Sequence, residues 1–197
     1  MAQWQHPFPK STITSGFGST RPPRTSPHRG TDYAPNAKTL IPAITDGKVT
    51  KIAYSNILGW FMEFVTDEHG LYIGHAHLYC HKHDTITCNG KDHNDGSTCM
   101  KNLKVGHRVE IGQPVGRVGN SGASRGAHLH ITASKKPDMR FSKPFDIEQF
   151  IDQKIAKQNR KKKVPKIVKP KKDKPEPMLF LGQKFGRFWT IWKKKYD

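Results

Sequence analysis

The chain has little acid, little cysteine and no long apolar run. Its 197 residues hold 16 Asp and Glu against 34 Lys and Arg, a formal charge of +18 at pH 7. Mean hydropathy is −0.74, and no segment reaches the ~20 consecutive apolar residues that a membrane-spanning helix requires. The three cysteines, Cys80, Cys88 and Cys99, are an odd number, which argues against a small secreted domain stapled by disulfides. The opening MAQWQHPFPK lacks the apolar core of a secretory signal; the expectation is a protein made in the cytoplasm. The length suits one domain of ordinary size plus a tail and excludes a large multidomain machine.

What is abundant is positive charge, and it is uneven. Residues 160–197 hold 14 of the Lys and Arg and only 3 of the Asp and Glu. Such a field attracts any polyanion: nucleic acid, anionic lipid or the phosphate polymers of a bacterial wall. Charge alone does not choose among them, but no nucleic-acid recognition module is visible. A specific nucleic-acid partner is therefore not expected.

Short runs rich in β-branched and aromatic residues, separated by Gly and Asp turns, cover Gly47 to Tyr54, Trp60 to Thr66, Leu71 to Leu78, Arg108 to Ile111, Pro114 to Val118 and His128 to Ala133. They predict a mostly β, antiparallel domain. One segment has helical spacing: after Asp146 as a cap, Ile147, Phe150, Ile151 and Ile155 form a single apolar stripe. This helix is expected to close a domain of residues 1–158. Residues 159–177, rich in Lys and Pro, read as an extended linker. Residues 178–197 crowd aromatics among lysines and suit a membrane surface, sugar stacking, a partner protein or packing back on the domain.

The eleven histidines cluster. In GAHLHITA, His128 and His130 stand two apart, and on a strand both rings share one face while Leu129 faces the core. In SPHRGTDYA, His28 and Asp32 offer imidazole and carboxylate, ligands that zinc favours, and three such ligands with an open fourth position make a catalytic site. Pro27, Gly30 and Pro35 argue against a helix here, so the pair converges through an irregular loop. The plainer reading makes Asp32 a turn cap and His28 a surface residue. In YIGHAHLYC, His75 and His77 are again two apart, and alternation places both rings on one face; two buried histidines bonded to backbone carbonyls would look the same.

Taken together, HxxxD, then the HAHL strand, then GNSGASRGAHLH resembles the lysostaphin-type zinc metallopeptidases. ITSGFG, the His69-Gly70 pair and GQPVGRVGNSGAS add to the likeness, which covers roughly residues 7–150. The resemblance implies a two-sheet, lysostaphin-like fold of the duplicated hybrid motif type. It also implies that His28, Asp32 and His130 bind Zn2+ and that His77 and His128 are the unliganded catalytic histidines. Zinc activates water and polarises a carbonyl while imidazoles exchange protons near neutral pH. The implied substrate is the peptide cross-link or bridge of bacterial peptidoglycan.

The sequence also departs from the family pattern. His75 stands where the family more often has an aromatic, and is expected to act as a spare hydrogen-bond donor behind the metal ligands or to lie at the surface. ITASKKP replaces the usual aromatic and acidic residues after HLH. An insertion of about residues 79–101 carries Cys80, Cys88 and Cys99 with His81, His83 and His93. A second metal site, one disulfide with a free thiol, and an unlinked loop are all open there. Without an export signal, the expected setting is a bacteriophage endolysin or virion-associated lysin acting at the cell wall, with the basic tail held by anionic wall polymers or membrane. The alternative is a non-catalytic relative that binds and regulates other wall hydrolases; the five retained side chains argue against it.

Overall fold

The structure, a computed structural model, describes residues 2–20, 26–80, 85–87 and 103–163. A 3-10 turn (Lys10–Thr12) leads into β1 (Ile13–Ser15), β2 (Thr31–Tyr33), β3 (Leu40–Pro42), β4 (Gly47–Ser55), β5 (Gly59–Thr66), β6 (Tyr72–Leu78), β7 (Arg108–Val109), β8 (Pro114–Arg117), β9 (Leu129–Ser134), β10 (Pro144–Phe145) and helix α1 (Ile147–Lys163). The larger sheet has the order β1-β2-β9-β6-β5-β4-β7 with β10 alongside β9, and β3 and β8 form a second, two-stranded sheet. All pairings are antiparallel. This is the mostly β, two-sheet architecture expected from the sequence. The six anticipated strands occur as β4 to β9. The additional strands β1, β2, β3 and β10 have two or three residues each, too few to show an alternating pattern.

The two faces of the large sheet do different work. Register places Ile131 of β9 opposite His75 of β6 and Thr31 of β2, and Leu129 opposite Tyr33. These positions, with Met62, Phe64 and Ile73, point into one continuous core that includes Ile41 and Val115 of the small sheet. Each large apolar side chain buried there contributes on the order of 1.5–3 kcal/mol. The intervening positions, Asp32, His130 and Ala76, face the other way. On that second face Phe61, Ala76 and Met139 form a small separate cluster, so β5, β6 and β9 are buried on both sides.

Helix α1 starts as predicted: Gln149 donates its backbone N–H to Asp146 Oδ1 at 3.1 Å, and Ile147 and Ile151 are fully buried. It then runs to Lys163 rather than ending near 158. Arg and Lys are good helix formers, cations suit a helix C-terminus, and no proline intervenes before Pro165. Residues 159–163, expected to begin a linker, are thus its last turn. The rest of the expected linker, the aromatic tail, and Cys88, Cys99, His81, His83 and His93 lie outside the described residues. Cys80 is fully buried two residues beyond β6, and Thr85 pairs back onto it.

Candidate metal centre

Strand pairing alone brings two of the candidate ligands together. Asp32 and His130 are direct partners across β2 and β9, and His130 Nδ1 lies 2.8 Å from Asp32 Oδ1. Asp32 therefore sits on a short strand, whereas His28 comes from the irregular loop before it. That loop is clamped to the Gly16–Ser19 turn: Gly18 N–H donates to the His28 carbonyl at 2.8 Å and His28 N–H to the Ser19 carbonyl at 2.9 Å. The His28 ring donates from Nδ1 to the Gly16 carbonyl at 3.1 Å, with Ser15 Oγ also at 3.1 Å. Its Nε2 is left facing inward, 3.1 Å from Asp32 Oδ1 and 3.1 Å from His130 Nδ1.

The three ligand atoms lie within 4.8 Å of one another. With His28 Nδ1 committed to a carbonyl, Nε2 of the neutral ring presents a lone pair toward His130 Nδ1 and a carboxylate. Three electron-rich atoms converging in this way are stabilised by a cation among them. Tetrahedral ligands ~2.0–2.2 Å from zinc stand roughly 3.3 Å apart, so the observed spacing fits such an ion with small adjustments. Burial opposes ionisation of Asp32, but whenever the His130 and His28 rings carry protons toward it, their hydrogen bonds and charge overcome burial and hold its carboxyl well below the usual range. Burial moves His130 the other way, below the ordinary histidine value, against the pull of Asp32.

Gly30 has a steric role beside these ligands. A Cβ there would lie 2.3 Å from the Ile131 carbonyl and 2.7 Å from His130 Cε1, so only glycine leaves the His130 ring its place.

His77 and His128 complete the cluster, their ring centroids 4.5 Å apart. His77 donates from Nδ1 to the Ser121 carbonyl at 2.8 Å, and His128 from Nδ1 to the Gly126 carbonyl at 2.8 Å. Each carbonyl fixes a tautomer with Nε2 unprotonated, and His128 Nε2 is 3.8 Å from Asp32 Oδ1. Burial, then the nearby His128, push His77 down to about 4, partly offset by the Ser121 bond.

His75 and His77 do not share a face, in contrast to simple alternation. The β5–β6 register shifts between Trp60 and Met62, and His77 adopts φ +58. This bulge inserts one residue, so Ala76 and His77 both leave on the groove side before Leu78 returns to the core. His75 is neither at the surface nor a donor to the cluster: it is fully buried, stacked on Phe64 at 5.8 Å, with no partner for either ring nitrogen. Desolvation pushes it down to about 3.

The cluster opens into a cavity of about 680 Å³, walled by the Ile57-Leu58 hairpin tip, the Ala123–Arg125 loop, and Arg29 beside His28. Sequence reading missed Ser121, whose Oγ donates to the Leu78 carbonyl and accepts from Trp60 N–H while its own carbonyl holds His77. Its signal was the GNSG word, noted there only as a likeness.

A profile of peptidase family M23 matches residues 26–142, more than half of the chain, and the chain belongs to that family. Over 103 residues it is 32% identical to the peptidoglycan DD-endopeptidase ShyC of Vibrio cholerae serotype O1, a span of 52% of this chain and 19% of that protein. Over 104 residues it is 30% identical to the glycyl-glycine endopeptidase ALE-1 of Staphylococcus capitis, covering 53% and 24%. The chain thus spans a quarter or less of these curated relatives. The catalytic domain of lysostaphin from Staphylococcus simulans superposes with a TM-score of 0.55 at 22% identity, covering 71% of this chain and 91% of that one; this likeness speaks for the fold.

Proposed function

We propose that the protein is a zinc-dependent endopeptidase that hydrolyses peptide cross-links or bridges of bacterial peptidoglycan. One observation carries the reading: His28, Asp32 and His130 converge within reach of one ion, in a cavity that two further imidazoles enter. In this reading His28 Nε2, Asp32 Oδ1 and His130 Nδ1 hold the metal, and His77 and His128 are the catalytic histidines. A zinc ion bound there supplies Lewis acidity toward a peptide carbonyl and a water molecule. The reaction breaks the C–N bond, with hydroxyl from water going to the carbonyl carbon and a proton to the leaving amine.

The chain's own groups suit the proton side of this chemistry. His77 and His128 each keep Nδ1–H on a backbone carbonyl, so each offers Nε2 to the cavity as the proton-carrying position. The buried His77 is neutral near pH 7 and can accept a proton. The Ser121 and Gly126 carbonyls hold the rings in place and stabilise the charged form once it appears.

A bacteriophage lysin, endolysin or virion-borne, working at the cell wall, belongs to the same proposal. The cationic chain supports it, since +18 suits an enzyme that must stay on an anionic wall polymer or membrane. Purified peptidoglycan of several chemotypes, digested with zinc-loaded protein and analysed by mass spectrometry, is expected to release new amino termini. Zinc should bind, with at least one ion lost in His130→Ala, and chelation should stop release until zinc returns. Full hydrolysis by metal-free protein would overturn the reading, and zinc binding without any cleavage would favour a non-catalytic regulator of other hydrolases.

A further inference from the structure

The two curated relatives are named for different bonds, so kinship leaves open which cross-link this groove accepts. The charge of its walls bears on that choice. Asp32 is the one carboxylate lining the cavity among the described residues, and it is turned toward His28 and His130. Against it stand two arginines, Arg29 and Arg125, both among the residues lining the cavity and both exposed.

The two arginines are held differently. Arg29 follows His28 directly and donates from Nη2 to the carbonyl of Ser142, a residue outside the cavity lining, which ties down part of its fork. Arg125 lies between Ser124 and Gly126, the residues whose hydroxyl and carbonyl contact His128 Nδ1 at 3.2 and 2.8 Å. Its side chain therefore starts one residue from the anchor of a proposed catalytic imidazole. No carboxylate of the described residues is paired with it. A guanidinium has a rigid fork of donors matched to a carboxylate, and Arg125 borders a cavity whose one carboxylate among the described residues, Asp32, is already engaged by His28 and His130.

We infer that Arg125, assisted by Arg29, reads a free carboxylate on the substrate beside the scissile bond. This inference rests on the endopeptidase reading above and gives it a substrate class. In a cross-link whose amine comes from a 2,6-diamino diacid, the carbon bearing the scissile nitrogen also bears a carboxylate. In a lysine-based link or a glycine bridge the corresponding carbon carries no charge. The groove is thus built for the acidic cross-link rather than the neutral bridge.

The test uses two peptide dimers joined through D-alanyl-meso-diaminopimelate, identical except that the carboxylate beside the scissile nitrogen is free in one and amidated in the other. The full-length, zinc-loaded protein is expected to favour the free acid in kcat/KM by roughly tenfold, the weight of one charge-assisted hydrogen bond at a partly solvated site. The preference should shrink with added salt. Arg125→Gln should bring the ratio near one, and Arg125→Glu should invert it. Titration of the metal-free protein with the same peptides should give the same order of affinity, which separates the arginines from the charge of the metal. Equal cleavage of both dimers, or a preference for the amide, would overturn the inference and leave the endopeptidase standing. A preference for the acid that survives in Arg125→Gln and in the Arg29→Gln/Arg125→Gln double variant would remove it from the arginines. Failure to cut either dimer, a pentaglycine peptide or whole walls would remove the endopeptidase reading itself.

Discussion

His75 and His77 are two residues apart on one strand, yet they occupy opposite sides of the sheet and opposite chemical worlds. One is sealed against Phe64 with neither nitrogen bonded. The other is anchored by the Ser121 carbonyl and looks into an open cavity. One inserted residue and one positive φ separate them. The comparison teaches that one extra residue in a strand can convert a core position into a working one without changing the residue type.

The sharpest contrast comes from the groove side. His130→Ala should remove the bound zinc and reduce peptide hydrolysis to background, with zinc stoichiometry and fragment release as the two measurements; retained zinc would separate His130 from the ligand set. His77→Ala should lower kcat by about 10²–10⁴-fold while zinc stays bound and the thermal midpoint barely moves. Equal losses of zinc and turnover in that variant would make His77 a ligand or a structural residue.

Gly30→Ala should act between the two faces, because the new methyl would press on both the Ile131 carbonyl and the His130 ring. A destabilisation of about 1–3 kcal/mol together with weaker zinc affinity is expected from denaturant melts and metal titration; loss of stability alone would mean that the His130 ring simply shifts aside.

The core side should give the smallest effect on catalysis and a distinctive dependence on pH. Histidine in an unfolded chain binds its proton near pH 6.5, whereas burial holds His75 down at about 3. The unfolded state therefore takes up the extra proton: stability from this position is complete above pH 6.5 and drains away as pH falls toward 3, by at most ~1.4 kcal/mol per pH unit. His75→Phe should keep peptide hydrolysis and flatten that decline, as read from melts between pH 7 and 4. An unchanged acid slope would show that the ring is hydrated rather than sealed.

Much of this was legible in the residues, for reasons that can be named. Leu129, His130 and Ile131 alternate as a half-buried strand should, which predicted the direction of His130. The stripe of Ile147, Phe150, Ile151 and Ile155 predicted the packed face of α1. The positive φ at His77 left no trace in composition, since nothing in YIGHAHLYC marks an inserted residue, and period-two reading failed there. The short strand carrying Asp32 was hidden by the Gly and Pro around it. The extra helical turn was missed because a run of basic residues reads equally well as helix end or as linker, and only the position of Pro165 separates the two.

The first residues and the helix hold each other. Trp4 and Gln158 exchange two hydrogen bonds, at 2.8 and 3.2 Å, and the Trp4 indole donates to Glu68 in the β5–β6 turn at 3.1 Å. That turn is at the far end of β5 from the Ile57 hairpin bordering the cavity. Both extremities of the described domain are therefore moored at the back of the sheet. Among the described residues, neither mooring contact involves a residue that lines the cavity, where a long polymer would have to lie. A fusion partner or surface tether would be better joined at these extremities than at any loop around the cavity.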